Sequence, residues 1–352
     1  MGKLAVYKYV SAMFLTIQII LVLFTFMGLF GGNVTPVGNM ARAMCVYILP
    51  LLIIANFLML IYWLVRRRWL FSLIPIVTLA CCIPYSGTIY QLSFDKPQEN
   101  TEKGLKIASY NVAMFGRETS GFMAQDILAE MRRQKVDVLC IQEYNEISGD
   151  KKNSESYKDY FPYMQVGRED MVIFSRYPIK AHKKMLFDET NNSAMWADID
   201  VKGKDIRVFN IHLETTGINR TLHSAGKMMV QNREVDTNKL LNAIWGNYTL
   251  GMMFRSGQAI TIANEKRESE KPVILCGDFN DVPYSFVYNT VLGDMVDGFK
   301  ECGAGWMYTY RSKHKPVRID YIFHDESLKG ISYYKTEMTY SDHYPIFMKI
   351  AL

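Results

Sequence analysis

Residues 273–283 read Val-Ile-Leu-Cys-Gly-Asp-Phe-Asn-Asp-Val-Pro. The apolar residues that begin this stretch, closed by Gly277, predict a buried strand that ends at the edge of its sheet. Asp278 and Asn280 lie two positions apart, so an extended backbone places both side chains on one face. A carboxylate beside an amide at a strand end suits a hard divalent cation or a phosphate oxygen. The alternative is a strand followed by a plain polar turn, because Asn-Asp-Val-Pro favours turns.

The charged and apolar residues are unevenly distributed along the 352 residues of the chain. Lys and Arg number 40 against 35 Asp and Glu, and the formal net charge of +5 does not by itself indicate a nucleic-acid partner. Residues 1–90 are largely apolar, and most of the charge follows Phe94. The six cysteines show no regular spacing, so we expect buried or free thiols rather than a disulfide framework or a zinc site.

The apolar first third predicts a membrane region over residues 1–85. Three transmembrane helices are expected, at about 10–29, 45–65 and 69–85. The first run contains no charged residue and is too long for a secretory signal peptide. The third run is shorter and contains Pro75 and Pro84, so it is either a span or a re-entrant segment.

The basic residues predict the orientation of this region. Lys3 and Lys8 precede the first span, and the arginine triplet 66–68 links the second and third. These positions should be cytoplasmic, so three spans place the remainder outside the cytoplasm, whereas a re-entrant third run leaves it inside. We therefore expect an integral protein of the cell or inner membrane, in which residues 86–102 tether an extracytoplasmic domain.

Residues 103–352 predict a single α/β domain, because many short strands are separated by a few helices. Strands are expected at 105–110, 136–141, 171–174, 196–201, 206–211, 273–276, 318–323 and 346–350. Helices are expected at 122–134, 238–244 and 258–266.

Polar residues that suit metal or phosphate binding stand at the ends of many of these strands. They are Asn111, Glu143, Asn210, His212, Asp278, Asn280, Asp320, Asp342 and His343. A single polar residue at a strand end is common in turns, but their recurrence at separate strand ends indicates one shared site.

Six short motifs in this domain resemble the endonuclease/exonuclease/phosphatase superfamily of deoxyribonuclease-I-like, metal-dependent phosphoesterases. In the order of that family they are Ser-Tyr-Asn (109–111), Ile-Gln-Glu (141–143), Asn-Ile-His-Leu (210–213), Gly-Asp-Phe-Asn-Asp-Val-Pro (277–283), Arg-Ile-Asp-Tyr-Ile (318–322) and Ser-Asp-His-Tyr-Pro (341–345). Each motif is weak alone, but together they are specific and cover essentially all of 103–352. The resemblance implies a four-layer α/β sandwich, in which two packed β-sheets are flanked by helices.

The resemblance also implies a metal ion and a general base. Glu143, with Asn111 nearby, would be the main ligand of Mg²⁺ or Mn²⁺, and hard oxygen donors without a cysteine cluster agree with that metal. His343 would activate the attacking water, and Asp320 would orient the imidazole.

The remaining motif residues would handle the nucleophile and the phosphate. Asp278 and Asn280 would position them or hold a second metal ion. His212 would bind a phosphate oxygen and stabilise the charge that develops on it. Asp342 would help to hold either a metal ion or the neighbouring histidine ring, and Asn210 would either brace the site or take part in catalysis.

These inferences predict a membrane-anchored, metal-dependent phosphoesterase that hydrolyses phosphodiesters or phosphomonoesters with an activated water. The alternative is a catalytically inactive, membrane-tethered binding protein with the same fold. Loss of a core site residue would favour that alternative, and the sequence keeps all of them. No obligate protein partner is evident.

The substrate class stays open between nucleic acid, a phospholipid headgroup and a small phosphoester. Nuclease activity requires a basic groove. The candidate cations are scattered and include Arg132, Arg133, Lys135, Lys151, Lys152, Lys183, Lys184 and Arg220. Lipid activity requires apolar groups near the site, and the candidates are Phe115, Met228, Met229, Met252, Met253 and Phe254.

Overall fold

The computed structural model describes residues 3–92, 104–113, 124–144, 157–168, 171–188, 190–231, 234–311, 317–338 and 340–352. The chain divides into two compact units. One unit comprises Met1–Thr88 with Val282–Asn289, and the other comprises Ile89–Asp281 with Thr290–Leu352.

Helices make up most of the first unit: α1 (Lys3–Gly31), α2 (Met40–Tyr47), α3 (Leu49–Val65), α4 (Trp69–Cys81) and α5 (Ile83–Ser86). Within α1, Val6–Gly31 is long and apolar enough to cross a membrane. The α2–α3 pair is bent by 65° and qualifies only as one broken span, with Pro50 at the start of α3. Helix α4 has 13 residues and is apolar.

The polar and apolar side chains of these helices are arranged inside out relative to a water-soluble bundle. Gln18 Nε2 donates a 2.9 Å hydrogen bond to Asn56 Oδ1, and Asn56 Nδ2 donates one of 2.9 Å to Thr25 Oγ1. All three side chains are buried, whereas Leu23 is 60% exposed and Leu51 is 66% exposed. Buried polar contacts between helices with apolar outer faces are typical of membrane bundles.

The rest of the chain contains fourteen strands and five helices among the described residues. The strands are β1 (Tyr90–Gln91), β2 (Gly104–Asn111), β3 (Val138–Gln142), β4 (Tyr163–Val166), β5 (Met171–Ser175), β6 (Ile179–Leu186), β7 (Ser193–Val201), β8 (Lys204–His212), β9 (Val273–Asp278), β10 (Val296–Asp297), β11 (Gly305–Trp306), β12 (Asp320–His324), β13 (Lys329–Lys335) and β14 (Ile346–Ala351). The helices are α6 (Ala124–Arg133), α7 (Ile218–Val230), α8 (Thr237–Arg267), α9 (Phe286–Leu292) and α10 (Gly298–Cys302).

Two six-stranded sheets pack against each other, which confirms the predicted α/β sandwich. The strand orders are β13-β14-β2-β3-β5-β4 and β10-β12-β9-β8-β7-β6. Their shared core contains Ile107 and Cys140 from the first sheet and Val208 and Cys276 from the second. Helix α6 covers the outer face of the first sheet, where Met131 joins a second apolar cluster. Burial of these apolar faces stabilises the two layers against each other.

Each sheet contains one parallel pair, and these two pairs position the polar strand ends. Strands β2 and β3 are parallel, and so are β8 and β9, with His212 opposite Asp278. Gly277 has φ +144°, and a Cβ built on it would lie 1.9 Å from the carbonyl oxygen of Ile211. Glycine is therefore required for β9 to lie this close to β8 where the strands end.

The structure differs from the sequence predictions in a few elements. Helix α8 is continuous through 245–257, where Gly246, Gly251 and Gly257 weaken the helical signal. Strands β4, β6 and β13 and helix α7 were not expected from the sequence pattern. Within the proposed tether, β1 pairs with β11, so Tyr90 and Gln91 belong to the second unit.

Candidate active site

The polar strand ends meet at one edge of the sandwich. Asn111 ends β2, Glu143 follows β3, and His212 and Asp278 end the parallel strands β8 and β9. Asp320 begins β12, which runs antiparallel to β9 and pairs Asp320 with Asp278. Parallel neighbours place their carboxyl ends at the same edge, and an antiparallel neighbour adds its amino end there. The sequence therefore gathers donors from five strands at this edge.

His343 lies between two buried carboxylates. Its Nδ1 is 2.9 Å from Asp320 Oδ2, and its Nε2 is 3.6 Å from Asp278 Oδ2. The polar atoms of these three residues lie within 4.8 Å of one another. Only 5% or less of each residue is exposed.

The electrostatics of this cluster follow from burial and close negative charges. Burial and then the Asp320 carboxylate raise the pKa of Asp278 to about 6. Burial alone would lower the pKa of His343, but the carboxylates of Asp320 and Asp278 raise it to about 10. The site thus holds more negative charge than its own residues neutralise.

Asn111 links this cluster to Glu143. Its Nδ2 donates to Glu143 Oε1 at 3.0 Å and to Asp278 Oδ2 at 3.1 Å, and its Oδ1 accepts from the backbone N–H of Ala113. His212 Nε2 lies 3.7 Å from the same Glu143 oxygen. Asn111 therefore orients both carboxylates through its side-chain N–H groups, whereas its side-chain oxygen is directed at the backbone of Ala113.

Asn280 and Asn210 have well-defined partners. The Asn280 Nδ2 donates to the carbonyl oxygen of Leu213 at 2.8 Å, and its backbone N–H donates to Asp278 Oδ1 at 2.8 Å. The Asn210 Nδ2 donates to the carbonyl oxygens of Ile141 and Val172 in the opposite sheet, at 2.9 and 3.0 Å. Of the two roles considered for Asn210, these contacts favour bracing.

Asp342 is half-buried beside His343, and its carbonyl oxygen accepts a 2.9 Å hydrogen bond from the backbone N–H of Arg311. Its carboxylate is not one of the groups within 4.8 Å in the Asp278 cluster. The predicted contribution of Asp342 to a metal site stays a prediction.

Three further residues support the site and were not assigned to it from the sequence. The Ser341 Oγ donates to the carbonyl oxygen of Asn111 at 2.8 Å and accepts from the backbone N–H of His343 at 3.1 Å. Thr309 Oγ1 accepts from the backbone N–H groups of Ile319 and Asp320, at 3.0 Å each. For Ser341 the sequence signal was its position in the Ser-Asp-His motif, and for Thr309 it was only a weak indication of a phosphate contact within the aromatic-rich stretch 306–310.

Tyr310 is the third of these residues. Its ring meets the imidazole of His343 edge to face, with ring centroids 5.0 Å apart, and the two residues form an isolated antiparallel bridge. The edge-to-face contact restricts the orientation of the imidazole.

The donor set fits a hard divalent cation. The carboxylates of Asp278 and Asp320 lie within 4.8 Å of each other and of His343, and Asn111 links Asp278 to the carboxylate of Glu143, so negative charge is concentrated here. Such oxygens are the ligands that Mg²⁺ and Mn²⁺ prefer. A bound cation would offset this charge and shift both perturbed pKa values back toward their ordinary range.

The residues expected to contact substrate are only partly described. Phe115, Lys151 and Lys152 lie outside the described residues. Met252 is buried rather than exposed near the site. Lys183 is paired with Glu265, and Arg133 with Glu130. Two of the candidate cations are therefore neutralised by neighbouring acids.

Solved structures share this fold at low sequence identity. An endonuclease/exonuclease/phosphatase from Beutenbergia cavernae is 18% identical with a TM-score of 0.52, covering 71% of this chain and 72% of its own. TDP2 from C. elegans is 14% identical with a TM-score of 0.54, covering 71% and 75%. D. rerio TDP2 complexed with a single-strand DNA product is 16% identical with a TM-score of 0.50, covering 71% and 100%. Among curated proteins, no sequence matches the chain.

The fold is that of the endonuclease/exonuclease/phosphatase superfamily. The chain belongs to the endonuclease/exonuclease/phosphatase family, whose model matches residues 108–343 and thus more than half of the chain. Residues 11–89 match a separate family, a domain of unknown function (DUF8431). Members of the first family are hydrolases that act on phosphoester bonds and generally depend on a divalent metal.

Proposed function

We propose that this protein is a membrane-anchored, Mg²⁺-dependent phosphoesterase that hydrolyses its substrate with a water activated by His343. The observation that carries the proposal is the hydrogen bond between His343 Nδ1 and Asp320 Oδ2, with Asp278 beyond the other ring nitrogen. When a buried carboxylate accepts a hydrogen bond from one ring nitrogen of a histidine, it fixes the orientation of the ring. The other ring nitrogen is then positioned to act as a base.

The residues of this chain can perform the proton transfer. With its Nδ1 proton donated to Asp320, His343 would accept a proton from water at Nε2. Asp278 lies 3.6 Å from that nitrogen and would hold the water by its remaining hydrogen. The Asn280 Nδ2 is bonded to the backbone, so its Oδ1 is the side-chain atom that would orient the same water.

Charge stabilisation would come from the other half of the site. Glu143 and Asp278, oriented by Asn111, would hold the metal ion together with Asp342. The ion would withdraw charge from the phosphoryl oxygens and so assist attack. His212 lies 3.7 Å from Glu143 and, when protonated, would donate to a phosphoryl oxygen in the transition state.

The membrane anchor is supported by the inside-out arrangement of α1, α3 and α4. Helices α4 and α5 together cover 69–86, about 27 Å of helix against a hydrocarbon core of about 30 Å, so we propose a third crossing. Three crossings and a cytoplasmic N-terminus place residues after 86 outside the cytoplasm. A reporter fused after Leu352 that is active only outside the cytoplasm should show activity, and activity of a cytoplasm-only reporter would refute this topology.

The substrate class is best tested with a panel on the full chain in detergent micelles. We expect Mg²⁺-dependent hydrolysis of bis-p-nitrophenyl phosphate and, among natural classes, of a phospholipid headgroup or a small phosphoester in preference to DNA. An anchored enzyme whose candidate cations are scattered along the sequence, with Lys183 and Arg133 paired to acids, is poorly suited to long nucleic acids. Preferential cleavage of DNA would contradict this choice of substrate. Inactivity on every substrate of the panel would contradict the proposed phosphoesterase activity.

A further inference from the structure

The connection between β8 and β9 contains a long helical hairpin. Strand β8 ends at His212 and β9 begins at Val273, and helices α7 and α8 lie between them. Because β8 and β9 are parallel, α8 must return antiparallel to the strands before β9 begins. The amino end of α8 therefore points toward the edge of the sheet that carries the candidate active site.

Helix α8 extends well beyond this edge. At the level of the strand ends, the backbone N–H of Glu214 donates to Gln258 Oε1 at 2.8 Å. Two turns further, a Cβ on Gly251 would lie 2.7 Å from the Cα of Thr216, so the helix touches the chain that leaves β8. The preceding residues 237–250 continue for about 21 Å of helix past that contact.

Residues 218–250, named here the projecting hairpin, are mostly exposed to solvent. Buried residues of α8 begin at Tyr248, and of the α7 side chains that the structure describes only Ala225 is buried. Asn247 Nδ2 donates to Thr221 Oγ1 at 2.7 Å and joins the two helices. Helices of this kind obtain most of their stability from packing of an apolar face, and within the described chain little covers this one.

The exposed surface of the projecting hairpin is apolar. Val230 is 84% exposed, Met229 and Leu241 are each 58% exposed, and Trp245 is 47% exposed. Leu241 and Trp245 are one helical turn apart and so share a face of α8. Leu222, Met228 and Leu250 are also exposed. Several large apolar side chains exposed on one short segment are unusual in water and indicate an interaction site.

Positive charges outnumber negative ones in this segment: residues 218–250 contain four Lys or Arg against Glu234 and Asp236, and Lys239 Nζ lies 3.8 Å from Asp236 Oδ2. From Thr215 to Arg233, and from Thr237 to Asn264, the sequence contains no Asp or Glu. Lys227 in the last turn of α7 and Lys239 in the first turn of α8 are exposed beside the apolar residues. Exposed apolar side chains that include a Trp, beside an excess of cations, are the pattern of helices that lie in a membrane interface.

We propose that the projecting hairpin binds the surface of a bilayer that contains anionic lipids. The apolar side chains would insert among the headgroups, and Lys227 and Lys239 would contact lipid phosphates. This contact would hold the candidate active site, from whose edge the hairpin projects, at the lipid surface. The proposal concerns binding, so it can be tested independently of the proposed activity.

The test measures contact between Trp245 and lipid. The full chain is reconstituted into vesicles of brominated phosphatidylcholine, with or without phosphatidylglycerol, and the emission of Trp245 is obtained as the difference between the wild type and Trp245→Phe. We expect roughly two-fold quenching of that emission with phosphatidylglycerol present, because bromine quenches only residues at the bilayer. Lys227→Glu with Lys239→Glu should remove the quenching while the far-ultraviolet circular dichroism is unchanged.

Matched controls lie at the opposite end of β8. Lys204 is exposed and begins the strand that His212 ends. A tryptophan introduced as Lys204→Trp in the Trp245→Phe background should not be quenched, and Lys204→Glu should leave Trp245 quenching unchanged. Absence of Trp245 quenching, or equal quenching at both positions, would refute the proposal. Trp245 emission that is shielded from bromine and that changes with protein concentration would also refute the proposal. That result would indicate that the apolar residues of the projecting hairpin contact a second copy of the chain.

Discussion

His343 Nδ1 lies 2.9 Å from Asp320 Oδ2, and both side chains are almost completely buried. Asp320 is in turn fixed through its backbone N–H, which donates to Thr309 Oγ1 at 3.0 Å. The pair is therefore held by the first residue of β12 and by the loop before β14 together. This arrangement directs the second nitrogen of His343 toward Asp278.

Replacement of Asp320 by Asn should lower kcat by roughly 10²–10⁴-fold with little change in KM, because an amide favours the wrong imidazole tautomer. Steady-state kinetics on bis-p-nitrophenyl phosphate measure this. Asp325→Asn, in the turn that follows β12, is the matched control and should keep wild-type kinetics. A kcat for Asp320→Asn within two-fold of wild type would rule out the orienting role.

Replacement of Asn210 by Leu should lower the free energy of unfolding by about 1–3 kcal/mol, because two buried carbonyl oxygens in the opposite sheet lose their donor. Urea unfolding followed by circular dichroism measures this. Asn242→Ala, at an exposed position on α8, should change stability by no more than about 0.5 kcal/mol. Equal stability of Asn210→Leu and wild type would show that the bracing contacts are not significant.

Replacement of Gly277 by Ala should prevent β9 from pairing closely with β8, because the added Cβ would overlap the carbonyl oxygen of Ile211. We expect loss of soluble folded protein or destabilisation by more than about 3 kcal/mol. Gly246→Ala is the control, since a Cβ there meets open space and should stabilise α8 by about 0.5–1 kcal/mol. A Gly277→Ala protein as stable as wild type would contradict the observed strand separation.

The pair of His324 and Glu301, remote from the candidate site, should make stability depend on pH. Burial would lower the pKa of His324, but the Glu301 carboxylate 2.8 Å away outweighs it and raises the pKa above 6.5. Burial would raise the pKa of Glu301, but the hydrogen bond from His324 lowers it below 4.5.

The directions of the two pKa shifts define the pH range in which this pair stabilises the protein most. The His324 contribution is complete below pH 6.5 and is lost as pH rises through its higher folded pKa, whereas that of Glu301 is complete above pH 4.5 and is lost as pH falls through its lower folded pKa. The difference in unfolding free energy between wild type and His324→Gln should be largest between pH 4.5 and 6.5. A difference that does not vary with pH would refute this coupling.

The sequence predicted the fold class because alternating apolar runs ended in recognisable family motifs. It located Asn111, Glu143, His212, Asp278, Asp320 and His343, which the structure brings to one edge. It indicated Thr309 only as a candidate phosphate contact, because the contacts of Thr309 with the backbone at Ile319 and Asp320 depend on tertiary packing. It also divided α8, because three glycines lower helix propensity where contacts such as that of Gly251 with Thr216 favour the helix.

Metal-dependent hydrolysis that requires His343 is the most direct test of the account. The full chain is assayed on bis-p-nitrophenyl phosphate with Mg²⁺, with EDTA and after Mg²⁺ is restored, beside the His343→Ala variant checked for folding by circular dichroism. The account predicts activity that EDTA abolishes and Mg²⁺ restores, and a kcat lower by roughly 10²–10⁴-fold in the variant. Activity that survives EDTA, or that is unchanged in a folded His343→Ala protein, would contradict it.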